Sequence, residues 1–551
     1  MVVVGVLSAL LGAGPAGRDE VRAATDRLPD LRMVPLSDFR IETTSAGRRL
    51  LRFTATMANV GRGAFELRGS RPSASSSTMS VQQVIYNDAG GARSRVTSAV
   101  MRYAGDGHNH WHVQKIMHYE ARSLSGIRRP TEKTDFCFFD TQPYSLSLPG
   151  APQRSVYAES GCGTSSSLAT RVGISVGWAD SYPWNFVGQW IDVTGVPAGE
   201  YIIHAEVDPN RHFAESAEGN NCAWTRVSIP ASGSAVSVLS RGSRCMVPVT
   251  RLAGTDRYTA SAAVSASAFA PDPAVAYVAS GENFPDALAA GAAAGHQRGP
   301  VLLVRRAGVP TAIANELVRL RPSRIVVVGG PATIPDTVLA ELDRYDAGGG
   351  VTRIGGADRY EAAAALSASV FAPDRPVAYV ATGENFPDGL TAVPVAARQG
   401  GPLLLVRAGS IPDSTRAELL RLRPAAIAIV GGPASVSDAV MRQLDDYDTG
   451  RGVRRYTGSD RYAASAVLSA AAFPGGAPVG YLASGENFPD ALSAGPAAAL
   501  RGAPVLLVKS TTLPAATAAE LNRLAPKQLF VVGGPASVSG AVIDAAAAAA
   551  Y

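Results

Sequence analysis

Gly107-His-Asn-His-Trp-His-Val-Gln-Lys-Ile-Met-His-Tyr119 contains four of the chain's seven histidines: His108, His110, His112 and His118. The first three recur at i, i+2 and i+4. On a strand that spacing turns all three imidazoles to one face, roughly 6.5–7 Å apart per pair at Cα. On a helix the same spacing scatters them by roughly 200° per step. The stretch is therefore expected to be a strand, and the domain around it β-rich. Three converging imidazoles without a thiolate suit Cu(II), Zn or Fe, and the Irving–Williams order favours copper. The plainer reading is a histidine-bearing strand edge that holds no metal. His118, six positions past His112, falls about 20 Å further along a straight strand, so it is expected beside the metal or on the substrate side and not as a ligand. Lys115 should point to the opposite face.

Outward from this strand, short alternating segments at 50–56, 81–86, 113–119, 188–193, 201–207 and 223–229 read as further strands between Gly, Pro, Ser and Asn. Their spacing predicts an antiparallel, sandwich-like domain. The four cysteines (Cys137, Cys162, Cys222, Cys245) lie in this half with no CxxC pair, an arrangement that suits disulfides in an exported protein. Nearness in sequence favours Cys137–Cys162 and Cys222–Cys245 among the three possible pairings. Residues 1–17 are apolar and rich in small residues, as in a signal peptide without its basic start, and are too short and Gly-rich for a membrane span. With 51 basic and 46 acidic residues the net charge is only +5, which does not suggest a nucleic-acid partner. Lysine is scarce: Lys115, Lys133, Lys509 and Lys527 are the whole set.

Several runs in this half occur in a telling order. They are Leu51-Arg-Phe53, Asn59-Val-Gly61, the histidine triplet, Lys133-Thr-Asp-Phe-Cys137 and Asp180-Ser-Tyr182. Gln189-Trp-Ile-Asp-Val-Thr194, Asp208-Pro-Asn210, Glu215-Ser216 and Asn220-Asn221-Cys222 follow. In these runs, residues ~30–245 resemble the catalytic domain of the lysyl oxidase family. The resemblance implies a copper-dependent amine oxidase in which His108, His110 and His112 hold copper. It also implies a lysine tyrosylquinone cofactor made from Lys133 and Tyr182, acting on a primary amine to give an aldehyde, ammonia and H₂O₂. Taken alone, Tyr182 sits in an apparent loop over 178–184 and reads as a packed tyrosine with a bonded hydroxyl, and Lys133 as a solvated charge. Asp106 and Asp180 are available carboxylates, with neither assigned as the base. His204 and His212 match no ligand position.

The second half repeats with a period of 102. Gly254-Thr-Asp-Arg-Tyr258 returns as Gly356-Ala-Asp-Arg-Tyr360 and Gly458-Ser-Asp-Arg-Tyr462. Gly281-Glu-Asn-Phe-Pro-Asp286 returns at 383–388 and 485–490, and Val328-Gly-Gly-Pro331 at 430–433 and 532–535. Such a period means three copies of one folded unit. In the first copy, 275–279, 301–304 and 324–328 read as buried parallel strands, and 286–295, 311–319 and 336–345 as helices. The copies resemble the cell wall-binding repeat 2 family of Gram-positive surface proteins, which implies non-covalent attachment to an anionic wall polymer. Gly-rich strand-to-helix turns could bind anions. Equally, the motifs could recur only because the fold recurs. His296 has no counterpart in the other copies and reads as surface.

The expected organisation is a signal-like or disordered stretch over 1–27, a β-rich sandwich-like catalytic domain over 28–245, and α/β repeats with parallel sheets over 250–347, 351–449 and 453–551. The repeats are expected to share no core with the β domain. The whole reads as a secreted, wall-anchored copper amine oxidase. The alternative is a non-enzymatic copper-binding or adhesion protein held to the wall by the repeats. A zinc hydrolase ranks last, for want of a Glu base at motif spacing.

Overall fold

The computed structural model describes residues 24–104, 109–487 and 492–551. Most of the predicted signal-like stretch, with Asp106 and His108, lies outside them.

Three antiparallel sheets build the first domain. One runs Ala169–Ile174, Phe65–Ser70, Thr78–Asn87, Ala92–Tyr103, Trp111–Val113. The second centres on Arg49–Asn59, flanked by Trp178–Tyr182, Trp190–Asp192 and Leu31–Thr43. The third runs Ser237–Gly242, Cys222–Ile229, Gly199–Val207, Met117–Ser123, Arg128–Pro130. Period-two alternation explains the shared core. In Arg49–Asn59, Leu51, Phe53, Ala55 and Met57 are buried while Arg52, Thr54 and Thr56 between them are partly exposed. Phe53, Phe65, Trp111, Tyr119, Phe136, Phe138 and Tyr182 fill one cluster with these aliphatics. Glu215 accepts a bond from the Leu31 amide and Asn220 donates to Asp30, so the run 215–222 ties the first long strand to the end of the domain. Both expected disulfides, Cys137–Cys162 and Cys222–Cys245, are formed.

The predicted strand over 113–119 is two strands in different sheets. Val113 ends one and Met117 begins the other, with a turn between them in which Lys115 takes φ 55°. His118 therefore belongs to the third sheet and lies away from the histidine strand.

Each repeat forms a parallel sheet with helices, as its sequence predicts, but the sheet has four strands where three were expected. The first sheet runs Val301–Val304, Ala276–Ser280, Ile325–Val328, Val351–Ile354. Its last strand opens the second repeat, and Val453–Tyr456 completes the second sheet in the same way. The third sheet is completed by Val249–Leu252, which precedes the first repeat and pairs in parallel with Gln528–Val532. The three units thus close on themselves. Helices Pro285–His296, Pro387–Gln399 and Ala494–Leu500 meet at the centre. Glycine lets them approach, since a Cβ on Gly291 would lie 2.8 Å from Val393.

The recurring motifs interlock at one corner of each unit. Asp256, Asp358 and Asp460 cap the helices that carry Arg257, Arg359 and Arg461. Those arginines donate to the carbonyls of Gly281, Gly383 and Gly485. Gly281 itself packs on Tyr258, and Gly329, at φ 121°, leaves room for Asp286, whose carboxyl burial pushes up to about 6. These contacts give the motifs a packing role in the fold.

The two halves share a core, contrary to expectation. Ile202 and Trp224, on the third sheet, belong to the same apolar cluster as the repeats. Arg226, buried on that face, pairs with Asp544 of helix Gly540–Ala549, and the Val247 amide bonds to Ala547. Beside this seam the Cys222–Cys245 bond fastens the chain leaving the β domain to the third sheet.

Closure makes a specific prediction. In the full chain, Leu252→Ala should destabilise the third repeat by about 2–4 kcal/mol while leaving the first repeat's sheet intact. Hydrogen exchange checks this: Gln528–Val532 should lose protection and Ala276–Ser280 keep it.

Candidate active site in the β domain

Trp111 orients the site. Its ring is buried, with Nε1 donating to the Thr164 carbonyl at 2.9 Å. The residues on either side are therefore turned away from that core. His110 and His112 face each other with ring centroids 4.8 Å apart. Of the two described histidines of the triplet, only His112 is in a strand, paired with Arg102. Asn109 takes φ 54°, so the extended reading of the whole triplet does not hold at its start.

The amine and phenol candidates come to this spot by separate routes. Reciprocal bonds between Val113 and Phe136 (2.8 and 3.1 Å) lay the segment 131–140 beside the histidine strand. This brings Lys133, whose Nζ lies 5.2 Å from the Phe136 ring centroid and 5.8 Å from that of Phe186. Gly188, at φ 79°, borders the lysine stem, and a Cβ there would lie 3.0 Å from Cδ. Tyr182 ends the strand Trp178–Tyr182, which was expected to be a loop; it pairs with Ala55 across Arg49–Asn59. Its ring stands 4.7 Å from Phe136 and 5.1 Å from Phe186, so phenol and amine share two aromatic walls. His110, His112, Lys133, Glu159, Asp180 and Tyr182 all line one cavity of about 210 Å³.

The Tyr182 hydroxyl lies 2.5 Å from the Cys137 carbonyl and 2.7 Å from Asp180 Oδ2. One phenol proton cannot serve two acceptors. Burial pushes the Asp180 carboxyl up to about 8, so at neutral pH it mostly holds a proton that it can donate to the phenol oxygen. The phenol then donates to Cys137. Burial holds the phenol's pKa well above its ordinary value.

Glu159 is a residue the sequence reading missed. It sits on the short 3₁₀ turn Glu159–Cys162, which the Cys137–Cys162 bond fastens to the Lys133 segment. Its carboxylate comes within 3.9 Å of His110 Nδ1. Only the predicted disulfide hinted at this closeness. His118 does not line the cavity, and Lys115 is exposed on its turn, with its amide bonded to Asp135. His212 shares a bond with Ser98 elsewhere.

Comparison with known proteins divides the chain where the fold does. Residues 82–238 match the family described as lysyl oxidase, and 251–339, 353–441 and 455–543 each match cell wall binding domain 2. The amidase enhancer of Bacillus subtilis (strain 168) is 28% identical over 293 residues, covering 53% of this chain and 39% of that protein. Lysyl oxidase homolog 4 of Mus musculus is 30% identical over 176 residues, covering 32% of this chain and 18% of that one. The chain thus spans well under half the length of these curated relatives. Among solved structures, Cwp6 from Clostridium difficile has a similar fold, with a TM-score of 0.52 at 17% identity, covering 90% of this chain and 65% of that one. No helix among the described residues is long and apolar enough to cross a membrane.

Proposed function

We propose that this chain, a cell-wall-associated lysyl-oxidase-like protein with a lysyl oxidase domain over 82–238 and three cell wall binding repeats within 251–543, is a copper-dependent amine oxidase. The observation that carries the reading is the cavity on which His110, His112, Lys133 and Tyr182 meet, although they come from three separate stretches of chain. The donor set fits copper: two facing imidazoles, a nearby carboxylate, and His108 just upstream in sequence. Lys133 and Tyr182, held between Phe136 and Phe186, fit a lysine tyrosylquinone. Copper with O₂ would supply the oxidation of the phenol and of the amine substrate.

The chain's own groups have distinct tasks. Tyr182 provides the ring and Lys133 the amine, and the two phenylalanines limit water around both. Asp180, 2.7 Å from the phenol oxygen, holds a proton there. The repeats keep the domain at the wall by contact with an anionic polymer. In the alternative reading, a non-enzymatic copper-binding or adhesion protein, Tyr182 is simply a packed residue. Its satisfied hydroxyl and aromatic neighbours favour that alternative.

Copper loading tests the site. Full-length protein should hold about one copper per chain in the cavity. His110→Ala and His112→Ala should each lower the affinity by at least about a hundredfold. Unchanged copper binding in both variants would place the metal elsewhere.

A further inference from the structure

A second constellation lies on the other side of the β domain, on the face of the third sheet turned toward the repeats. Strands Met117–Ser123 and Gly199–Val207 pair so that His118 stands opposite Glu206 and Glu120 opposite His204. Their neighbours Tyr119, Ala121, Ile203, Ala205 and Val207 fill the domain core, so these four side chains share the opposite face. Glu120 is engaged: Arg122 and Arg128 hold both its oxygens at 2.6–2.8 Å. His118 Nε2 also approaches this cluster, at 3.9 Å from Glu120 Oε2. His204 is only 3% exposed, and its Nδ1 has no hydrogen-bond partner among the described residues. A buried ring nitrogen without a partner is costly unless something fills the place.

The surroundings supply donors. A ring nitrogen of His204, a carboxylate oxygen of Glu206 and the Cys222 sulfur all lie within 4.8 Å of one another. The sulfur is bonded to Cys245 and is no thiolate. His118 can supply the third donor in its stead: it is paired with Glu206 across the two strands and its ring centroid lies 6.5 Å from that of His204, so its ring would turn from Glu120 toward these two to close the site. Its side chain is 31% exposed, which leaves a path from solvent. Arg122, Arg128 and Arg211 are the cations near Glu206 and His204. Arg122 and Arg128 are turned into Glu120, which leaves the Glu206 carboxylate available.

We propose that His118, His204 and Glu206 form a second metal site, for a zinc-like divalent ion, at the seam between the β domain and the repeats. Two imidazole nitrogens and one carboxylate oxygen are a zinc-type donor set, with water completing the tetrahedron. The ion joins two neighbouring strands beside the Cys222–Cys245 bond, which suits a structural role. The site is independent of the cavity that holds His110 and His112 and does not require oxidase activity.

Zinc binding by full-length His110→Ala/His112→Ala protein, in which the cavity histidines are removed, isolates the site. That protein should retain about one tightly held zinc after dialysis, measured by elemental analysis. Adding His204→Gln should abolish it. Adding Glu206→Gln, a partly exposed position, should raise the zinc Kd roughly tenfold or more with an unchanged melting curve in metal-free buffer. X-ray absorption should show two nitrogen-ring neighbours, falling to one in His118→Gln. Unchanged zinc content in folded His204→Gln and Glu206→Gln protein, or no zinc in the parent variant, overturns the proposal. Should His204→Gln fail to fold, the Glu206→Gln titration decides it.

Discussion

Lys133→Ala and Tyr182→Phe should each abolish amine-dependent H₂O₂ release, a loss of at least about a thousandfold. Groups that work as one unit fail together when either is removed. The argument is geometric. The amine of Lys133 and the ring of Tyr182 lie on the same two phenylalanine walls, and His110 and His112 open onto the same cavity. Lysine 133 offers a primary amine that is nucleophilic when neutral, whereas a guanidinium stays charged. Lys133→Arg should therefore be as inactive as Lys133→Ala, which separates the need for a nucleophile from the need for a charge. In oxygenated, copper-loaded protein a digest should contain one branched peptide joining the Lys133 and Tyr182 segments, with a carbonyl that reacts with phenylhydrazine. Both should be missing from either variant and from copper-free protein. Separate, unmodified Lys133 and Tyr182 peptides in a fully copper-loaded sample would leave the non-enzymatic reading standing.

Much of this site was legible in the sequence, for unequal reasons. The facing of His110 and His112 follows from parity about a buried tryptophan, which alternation alone predicts. The limits of that strand do not. They depend on Asn109 and Lys115 adopting positive φ, which few side chains signal in advance. Tyr182 read as part of a loop over 178–184 from its local sequence. Its place in a strand comes from pairing with Arg49–Asn59, a contact distant in sequence. Glu159 escaped notice because a disulfide, and no local pattern, carries its turn to His110. In the repeats the period of 102 was plain, but a period has no phase. The strand that opens one repeat completes the sheet of the one before, and Val249–Leu252 closes the ring through pairing that no periodicity records.

Replacing Arg305, Arg407 and Lys509 together by alanine in the full chain should release the protein from isolated walls, with affinity falling about a hundredfold or more. These three basic residues hold the same place in each repeat, 102 positions apart. Arg305, Arg407 and Lys509 each lie over a tyrosine (Tyr258, Tyr360, Tyr462), with cation-to-centroid distances of 4.7, 4.9 and 5.8 Å. The first two are about half exposed, at 51% and 53%. Beside Arg305 a surface cavity of about 430 Å³ opens toward the Thr311–Leu320 helix. A repeating anionic polymer can meet several such positions at once, and binding then depends on their number more than on any single one. One substitution should cost only a modest factor, and retention should fall steeply with salt. Arg257, Arg359 and Arg461 recur just as regularly, but their guanidiniums bond to backbone carbonyls inside each unit. Substituting those should lower the melting temperature instead of selectively weakening attachment. Cutting the chain between its halves is a poorer test, because separation exposes Ile202, Trp224 and the Arg226–Asp544 pair, and an unstable fragment could stick to walls or be lost for that reason alone. The full-length triple variant keeps the seam closed. If it melts like the parent and stays on stripped walls at low salt, these three positions do not hold the polymer.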